Sequence, residues 1–458
     1  MLLLSAPVLG ASGVAAALAR PGIAAANPPA PGFVSAADLG IAPTNSAASN
    51  RANLVAALSN SAVCVAFPPG DYQLDNSASG VQVNGYGGEF VMLPGARLVF
   101  TDNTQSGLVF EGGTGARLSG LTSTFATMPT VRNSPQECIL FRSTTDSYLE
   151  DVRIDGSAAA GLLFWRCVRP MVVDAVISNT MADGLHFANC QDGRADHITT
   201  IDTGDDGVSF VNYDSGPDNT GGLVTNVSVT RSKSRGVNVG GQSGVTIRDV
   251  VVNTTVGHGM YCAYDPAWNT RTPSDVRFER ARVVQGGAWT AAPGGGTNSG
   301  IRVSSAENVT VAEATVDAPG TNGIYASGST VTISGATVKN APGSGCNLQG
   351  GAHQVDRLSV DHANGIGFTV SNADRVEYGT VTVRNAAITH ATHRAVNIEN
   401  NTYVFGGRLW IYDTQSTATG YVVGAYGSQR GSLGAVGDLI GSRSVTIDNP
   451  SGLAYTTF

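Results

Sequence analysis

Short runs of alternating apolar and polar residues recur along the chain, and a glycine introduces each of them. The glycine is followed by an apolar residue, a variable residue and a second apolar residue in the runs that begin at Gly161, Gly184, Gly207, Gly236, Gly259, Gly300, Gly323 and Gly345. A period of two residues is typical of a β-strand with one buried face. The pattern therefore predicts a series of similar short strands.

The spacing of these glycines indicates a repeat. Successive glycines are 23, 23, 29, 23, 41, 23 and 22 residues apart, so a unit of 22–23 residues recurs, with insertions at 214–221 and 263–297. Self-similarity at this period is typical of a solenoid. The units lack the regular leucine spacing of leucine-rich repeats and contain short Val, Ile and Thr-rich segments instead. We therefore predict an all-β fold, a right-handed parallel β-helix with three strands per turn.

The ends of the solenoid differ from its middle. Residues 33–95 are predicted to form an N-terminal cap with the first coils, residues 96–400 the β-helix, and residues 401–458 the last coils and a C-terminal cover. Within the cap, apolar residues at helical spacing over 50–58 predict a helix, and residues 63–67 predict a buried strand. A helix laid over the first coil would cover its open end and prevent edge-to-edge pairing.

The first residues predict export from the cell. Residues 1–26 combine a mostly apolar run with small residues at the end of the segment, as in an export signal, and residues 27–32 form a Pro-rich linker. No later segment contains the roughly 18 consecutive apolar residues of a membrane span. We therefore expect a secreted protein without a membrane partner.

Composition narrows the classes of function. The net charge is −8, the pI is about 5.3 and only 14% of residues are charged, so a basic surface for nucleic acids is not expected. The six cysteines show no metal-ligand spacing, and we expect neither a metal nor another cofactor. Cys167 and Cys190 occupy equivalent positions of consecutive repeats. Their spacing fits a disulfide or two buried thiols, and thiols are favoured.

Equivalent positions of successive coils stack into columns in a β-helix. The residue before each glycine reads Ala160, Asp183, Asp206, Arg235, His258 and Ser299. The residue two positions after it reads Leu163, His186, Ser209, Asn238, Tyr261 and Arg302. Because the positions between and beyond them stay mostly apolar, both columns are predicted to face outward on one sheet.

The acids in these columns are candidates for catalysis. Asp183 and Asp206 should lie one coil apart, about 4.8 Å between Cα atoms, with Asp205 beside them. Carboxylates this close cannot all ionise normally, and one protonated acid beside one carboxylate is what glycoside hydrolysis requires. We therefore predict that Asp183, Asp205 and Asp206 are catalytic. The alternative is that Asp205 and Asp206 only form a turn at a coil corner.

The same stretches resemble glycoside hydrolase family 28, the polygalacturonase-like enzymes. The matching segments are Asn179-Thr180 with Asp183-Gly184, Gly204-Asp205-Asp206-Gly207, Gly257-His258-Gly259 and Gly300-Ile301-Arg302. The N-terminal pattern around Pro68-Pro69-Gly70 similarly resembles the cap of pectate-lyase-like β-helix proteins. The resemblance implies an inverting hydrolase in which the three aspartates supply the acid and activate water, while His258 and Arg302 support catalysis and bind sugar.

The match departs from the family pattern in three places. Two extra residues separate Asn179-Thr180 from Asp183. An additional coil carries Arg235, so either Arg235 or His258 fits the position of the family histidine. Ser304 stands where the family has the lysine that meets a uronate carboxylate, which leaves the sugar open and makes a neutral glycan at least as good a candidate. The predicted substrate-binding residues are His258, Arg302, Arg235, His186, Asn238 and Tyr261.

Two other functions fit the same fold. A polysaccharide lyase or uronate epimerase would use Arg235 and Arg302 around a carboxylate, and a non-catalytic glycan-binding solenoid would need no coupled acids. Trp268 and Trp289 lie in the long insertion, where each either stacks on a sugar or holds the loop in place. The expected partner is a polysaccharide or oligosaccharide, and the expected state is a monomer.

Overall fold

The chain winds into a parallel β-helix, as predicted. The computed structural model describes residues 32–289, 298–371 and 380–399, together with the strand segments 402–412, 423–426, 439–441 and 447–448. In the described residues each coil pairs in parallel with the coils before and after it, for example Leu185 with Leu162 and Val208. The ladders form three long sheets around one apolar interior.

The bounds of the strands show the three-sheet arrangement. The first sheet consists of Val81–Asn84, Leu108–Glu111, Ile139–Arg142, Leu162–Trp165, Leu185–Ala188, Val208–Val211, Val237–Gly240, Met260–Ala263, Ile301–Ser304, Ile366–Ser371, Arg394–Glu399, Val423–Tyr426 and Ile447–Asp448. The second sheet contains Val34–Ser35, Val65–Phe67, Glu89–Met92, Arg117–Ser119, Arg277–Glu279 and Val309–Ala312. The third contains Gly70–Leu74, Ala96–Phe100, Thr122–Phe125, Arg282–Val284, Thr315–Asp317, Thr337–Ala341 and Leu439–Gly441.

Several longer strands pass from one sheet to the next without a break. Ile324–Ser334 belongs to the first and second sheets, and Cys346–Ala363 runs through all three. The strands shared by the second and third sheets are Tyr148–Ser157, Met171–Thr180, Gly193–Thr203, Thr220–Ser232, Ser243–Thr255, Thr380–Thr389 and Thr402–Tyr412. The corner residues Asp151, Asp174, His197, Asn226 and Asp249 have φ between 51 and 57°. Asp, Asn and His tolerate this left-handed conformation better than most residues, so the sequence itself places the corners.

Close packing between coils explains the repeating glycine. A Cβ atom at Gly184 would lie 2.6 Å from the carbonyl oxygen of Gly207, and one at Gly207 would lie 2.5 Å from a methyl carbon of Val229. Neither gap admits a carbon atom. The glycine therefore lets each coil approach the next where the chain enters the first sheet.

The interior beneath the first sheet is an aromatic stack. Phe110, Phe141, Phe164, Phe187 and Phe210 follow one another on successive coils, with ring centroids 4.7, 5.3, 5.2 and 4.6 Å apart. All five rings are buried. Because side chains alternate along a strand, this inward stack turns the neighbouring residues of each coil outward, which forms the predicted polar columns.

A helix covers the start of the solenoid. The helix spans Ala47–Leu58, begins before the predicted residue 50, and has Ser46 as its N-cap. Leu54 and Leu58 are fully buried against the first coils. A short 3₁₀ helix, Ala36–Leu39, precedes it. The parallel ladder already begins at the strand Val34–Ser35, which pairs with Val65–Phe67 within the predicted cap and first coils.

The structure also decides the question of the cysteines. Cys167 and Cys190 are both buried free thiols, so the favoured alternative is confirmed. Each thiol donates a weak hydrogen bond to a carbonyl of the preceding coil, Cys167 to Phe141 and Cys190 to Phe164. They pack as small apolar residues of the core.

The predicted export signal and nearly all of the linker lie outside the described residues, as does most of the predicted C-terminal cover. Among the described residues, the structure contains no helix that is long and apolar enough to cross a membrane. The secreted location and the monomeric state stay predictions.

Candidate active site

The pairing register produces the columns that the glycine alignment predicts. His186 pairs with Ser209, Ser209 pairs with Asn238, and Asn238 pairs with Tyr261. Arg302 follows on the next coil. The six predicted substrate-binding residues and the predicted acids therefore lie on one outer face of the first sheet.

A column of buried hydroxyl groups holds the turns that carry the acids. The Thr180 hydroxyl donates to the Ala182 carbonyl at 2.8 Å, and the Thr203 hydroxyl donates to the Asp205 carbonyl at 3.0 Å. Ser232, on the following coil, donates to the same Asp205 carbonyl at 2.6 Å. These bonds fix the backbone next to each acid, because a buried carbonyl without a partner is costly.

Asp183 is a buried carboxyl group with partners on both oxygens. Its Oδ1 accepts a hydrogen bond from the backbone N–H of Asp206 at 3.0 Å, and its Oδ2 accepts one from the Ser209 hydroxyl at 2.9 Å. The Nδ1 atom of His186 lies 2.7 Å from the same Oδ2. Burial acts to raise the pKa of Asp183, but the imidazole and the hydrogen bonds outweigh it and hold the pKa below its usual range. Asp183 is therefore ionised.

Asp206 occupies the equivalent position one coil later and behaves in the opposite way. Its Oδ1 accepts from the backbone N–H of Arg235 at 2.9 Å and its Oδ2 accepts from the Asn238 amide at 2.7 Å. Burial, with the charges of Asp183 and Asp205, outweighs the attraction of the Arg235 guanidinium and raises the pKa of Asp206 to about 7. The acidic group therefore keeps a proton up to about neutral pH.

Asp205 is the more accessible member of the group. Its Oδ2 forms an ion pair with Arg132 at 2.6 Å. One carboxylate oxygen from each of Asp183, Asp205 and Asp206 lies within 4.8 Å of the other two. Three oxygens at this spacing are also suitable ligands for a metal ion, but two guanidinium groups, of Arg132 and Arg235, already contact these acids and supply positive charge.

The coil after Asp206 contributes a cation. The Arg235 guanidinium lies 3.6 Å from Asp206 and 3.4 Å from Asp265. It also lies over the ring of Tyr261, with its central carbon 4.4 Å from the ring centroid, a cation–π contact. These contacts hold the guanidinium beside the acids.

His258 and Arg302 lie farther from the acids. The His258 ring stacks on Tyr261 at 5.3 Å and accepts a hydrogen bond from the Ser299 backbone at its Nδ1. Burial, with the nearby charges of Arg302 and Arg235, lowers the pKa of His258 to about 3, so this histidine is neutral. Of the two positions that match the family histidine, that of Arg235 adjoins the acids.

The three acids line a cleft with a volume of about 330 Å³. The residues that line it are Arg132, Ser134, Pro135, Glu137, Ala159, Ala160, Leu163, Trp165, Ala182, Asp183, His186, Asp205, Asp206, Val211, Tyr213, Arg235, Asn238, Gly240, Asp265, Trp268 and Thr270. His258, Tyr261 and Arg302 are not among them. The structure thus brings the three acids, His186, Arg235 and Asn238 together and leaves the other three predicted binding residues along the same face.

Loops between the strands form the sides of this cleft. The loop after the strand Met260–Ala263 contributes Trp268, whose surface is 60% exposed, and the loop after Val208–Val211 contributes Tyr213. The insertion 263–297 therefore lines the cleft in its described part, as the sequence predicted. Tyr213 only precedes the insertion 214–221, and no residue of that insertion lines the cleft. Trp289, by contrast, is partly buried and donates its backbone N–H to Thr255, outside the cleft lining.

Sequence reasoning missed some of the lining. Arg132 lies on a loop 73 residues before its partner Asp205, a separation that no local pattern reveals. Glu137 lies in the column of the acids, but it precedes Cys138 instead of a glycine, so an alignment anchored on glycine passes over it. The strand register would have found Glu137, because Ile139 pairs with Leu162.

A second group on the surface has the composition of a metal site. Ligand atoms of Asp361, His362 and His390 lie within 4.8 Å of one another. The Nδ1 atoms of the two histidines lie 2.9 and 2.8 Å from the same Asp361 oxygen, and their rings stack at 4.2 Å. None of the three residues lines the cleft.

Comparison with known proteins agrees with the architecture. A family model described as the right handed beta helix region matches residues 160–335 and 218–374. The fold is a right-handed parallel β-helix of the pectin-lyase-like kind. No curated protein sequence matches the chain.

Solved structures give the same result at low sequence identity. The catalytic domain of a GH87 alpha-1,3-glucanase in complex with nigerose is 16% identical, with a TM-score of 0.51, over 90% of this chain and 70% of that one. The catalytic unit of a thermostable GH87 alpha-1,3-glucanase from Streptomyces thermodiastaticus strain HF3-3 is 17% identical, with a TM-score of 0.55, over 86% of this chain and 70% of that one. At this level of identity the similarity shows the fold.

A third structure is more distant. The A-module of mannuronan C-5 epimerase AlgE4 from Azotobacter vinelandii is 12% identical, with a TM-score of 0.48, over 86% of this chain and 100% of that one. A score this low does not discriminate among functions on the shared fold.

Proposed function

We propose that the protein is a secreted glycoside hydrolase that cleaves a polysaccharide or oligosaccharide in the cleft above the first sheet. The observation that carries the proposal is the pair of equivalent acids with opposite pKa shifts, Asp183 below its usual range and Asp206 at about 7. Acid and base assignments in hydrolases follow such divergence. The fold shared with GH87 alpha-1,3-glucanases supports a carbohydrate substrate.

Each acid has a role that its contacts suggest. Asp206 supplies the proton for the leaving glycosidic oxygen, because it retains a proton to about neutral pH and lines the cleft, and Asp205 lies beside it. Asp183 stays ionised and activates the attacking water. Arg235 and Arg132 balance the remaining negative charge.

We further propose inversion of configuration at the anomeric carbon. Both oxygens of Asp183 accept hydrogen bonds, which favours orienting a water over direct attack on the sugar. One carboxylate oxygen from each of Asp183, Asp205 and Asp206 lies within 4.8 Å of the other two. This spacing is shorter than the roughly 6.5–9.5 Å typical of inverting pairs, so it opposes the inference that the hydrogen bonds of Asp183 favour. The anomer formed first, followed by NMR during hydrolysis, decides the matter. Retained configuration would show that Asp183 or a neighbour attacks the sugar.

The test of the reaction class is product formation from a panel of neutral and uronate glycans. The panel includes α-1,3-glucan, other neutral glucans, xylan, mannan and polygalacturonate. Hydrolysis yields reducing ends without new absorbance near 235 nm, whereas a lyase yields an unsaturated product that absorbs there. We expect hydrolysis, and we expect Asp206→Asn to lower kcat by about 10²–10⁴, the usual contribution of a general acid.

The matched control is Asp202→Asn. Asp202 lies on the same coil but is exposed and paired with Arg231, away from the cleft. Its substitution should leave turnover nearly unchanged. An absorbing product would assign the protein to the lyases, with Arg235 and Arg302 as the residues to test. Glycan binding without turnover in the wild type, unaffected by Asp206→Asn, would identify a non-catalytic solenoid.

A further inference from the structure

The column of acids begins two coils earlier than Asp183. Ile139 pairs with Leu162, so the residue two positions before each, Glu137 and Ala160, are neighbours in that column. Asp183 follows on the next coil, since Leu162 pairs with Leu185. Glu137 therefore lies about 10 Å from Asp183 along the sheet, at twice the spacing between coils.

Two buried polar atoms beside this part of the cleft have no hydrogen-bond partner among the described residues. They are Oε2 of Glu137 and Nε2 of His186, and both residues line the cleft. Glu137 is 4% exposed. The other ring nitrogen of His186 is already engaged with Asp183. A third such atom in the cleft lining is Oδ1 of Asn238, farther along the sheet. Buried polar groups in native proteins are almost always paired, so orphan groups gathered in one cleft point to a ligand that completes them.

The surface between Glu137 and His186 is apolar. Ala160 and Leu163 occupy the intervening coil, are 4% and 6% exposed, and line the cleft. The ring of Trp165 stacks against that of Tyr213 at 5.8 Å beside them. An apolar floor with polar groups at its edges suits a pyranose ring, which presents C–H groups on its faces and hydroxyl groups around its rim.

The charges of the cleft favour an uncharged sugar at this place. The two guanidinium groups in the lining are already paired, Arg132 with Asp205 and Arg235 with Asp206 and Asp265. Burial raises the pKa of Glu137, although His186 and Arg142 oppose the shift. His186, the other basic residue of the described lining, is likewise paired with Asp183. A uronate carboxylate would therefore meet acids and only cations that already have an acidic partner, whereas a hydroxyl group can both donate and accept.

We propose that Glu137 and His186 form a subsite for an uncharged sugar residue, whose hydroxyl groups pair with the Glu137 carboxyl at one edge of the ring and with Nε2 of His186 at the other. The proposal rests on the proposed function, because it assigns a substrate class to the same cleft. Glu137 binds substrate in this scheme and takes no part in bond cleavage.

The experiment measures binding without turnover. The full chain carrying Asp206→Asn is titrated calorimetrically with nigerotetraose, laminaritetraose, cellotetraose, maltotetraose, xylotetraose, mannotetraose and tetragalacturonate. Glu137→Ala and Glu137→Gln are added to that background. We expect at least one neutral tetrasaccharide to bind, Glu137→Ala to weaken its binding about tenfold, and Glu137→Gln to retain most of it, since loss of one hydrogen bond is worth about that factor.

The control is Glu111→Ala, a glutamate on the same sheet that forms an exposed pair with Arg142 and should not affect binding. Urea unfolding shows whether each variant is folded, and the isosteric Glu137→Gln keeps the test valid if Glu137→Ala is not. Binding of tetragalacturonate alone, binding of no neutral member, or equal binding by Glu137→Ala would overturn the subsite.

The two proposals fail separately. In the otherwise wild-type enzyme, Glu137→Ala should raise KM for a cleaved neutral glycan about tenfold and change kcat much less. If Glu137→Ala turns over substrate with an unchanged KM, the proposal of a hydrolase stands and the proposal of the subsite is wrong. If the protein shows no turnover but binds a neutral glycan in a way that depends on Glu137, the proposal of the subsite stands and the proposal of a hydrolase is wrong.

Discussion

Asp183 and Asp206 show how strongly neighbours decide the chemistry of a residue. They occupy the same position of adjacent coils, and both are buried. Asp183 faces an imidazole and a serine hydroxyl, which stabilise its charge. Asp206 has an acid on either side and a guanidinium at 3.6 Å, too distant to compensate for burial. The repeat thus supplies two identical backbones and opposite protonation states.

We expect Arg235→Gln to move the alkaline limb of the pH–kcat profile to higher pH. The guanidinium lowers the pKa of Asp206, so its removal raises that pKa further. The general acid must be protonated to act, and a higher pKa keeps it protonated at a higher pH. The alkaline limb of the wild-type profile should lie near pH 7. In Arg235→Gln, kcat at the optimum pH should be lower than in the wild type.

The profile is measured with a neutral glycan between about pH 4 and 9. Arg280→Gln serves as the control, because Arg280 pairs with Asp249 on the exposed surface away from the cleft. A limb that stays in place in Arg235→Gln, or moves to lower pH, would show that another group than Asp206 limits the rate above neutrality.

At the scale of the element, the turn before most strands of the first sheet contains a closely packed glycine. We expect Gly207→Ala to destabilise the protein by about 1–3 kcal/mol, the usual cost of overpacking. The added methyl group would lie 2.5 Å from Val229 and 2.7 Å from the carbonyl oxygen of Gly236. Urea unfolding, followed by far-UV circular dichroism, measures the loss.

Gly240→Ala is the matched control, on the next strand of the same sheet. Its Cβ atom would meet nothing closer than 3.6 Å, an ordinary contact. Equal stability of Gly207→Ala and wild type would mean that adjacent coils separate easily, and that close approach at the glycine is not required.

The same glycine explains how far the sequence predicts the site. Because a coil returns to the same position every 22–23 residues, spacing alone places Asp183, Asp206 and Arg235 in one column. Spacing does not reveal Arg132, since a loop outside the repeat brings it to Asp205. Nor does the motif distinguish Arg235 from His258, because both precede a glycine in the same frame. The order of the coils, which the register confirms, separates them: Arg235 is one coil from Asp206 and His258 is two.

At the scale of the whole molecule, net charge should discriminate between substrates. The protein carries a charge of −8, which repels polyanions over about 10 Å at 0.1 M salt. We expect binding of tetragalacturonate to strengthen as NaCl rises from about 0.02 to 0.5 M, and binding of a neutral tetrasaccharide to change less than about twofold.

Calorimetric titration of the Asp206→Asn protein at both salt concentrations makes this comparison. The neutral tetrasaccharide is the internal control for effects of salt on the fold. Weaker binding of tetragalacturonate at high salt would reveal a local cationic subsite whose attraction outweighs the overall negative charge. A uronate would then again be a candidate substrate.

The pairing of each coil with only its two neighbours has a consequence for how such a gene can change. Duplication of one 23-residue unit beyond the cleft would lengthen the molecule by a coil without moving Asp183 relative to Asp206. The same duplication between Gly184 and Gly207 would separate the two acids and end their interaction. The sequence in which the few units at the cleft follow one another is therefore constrained, whereas the number of units outside the cleft can change without altering the site.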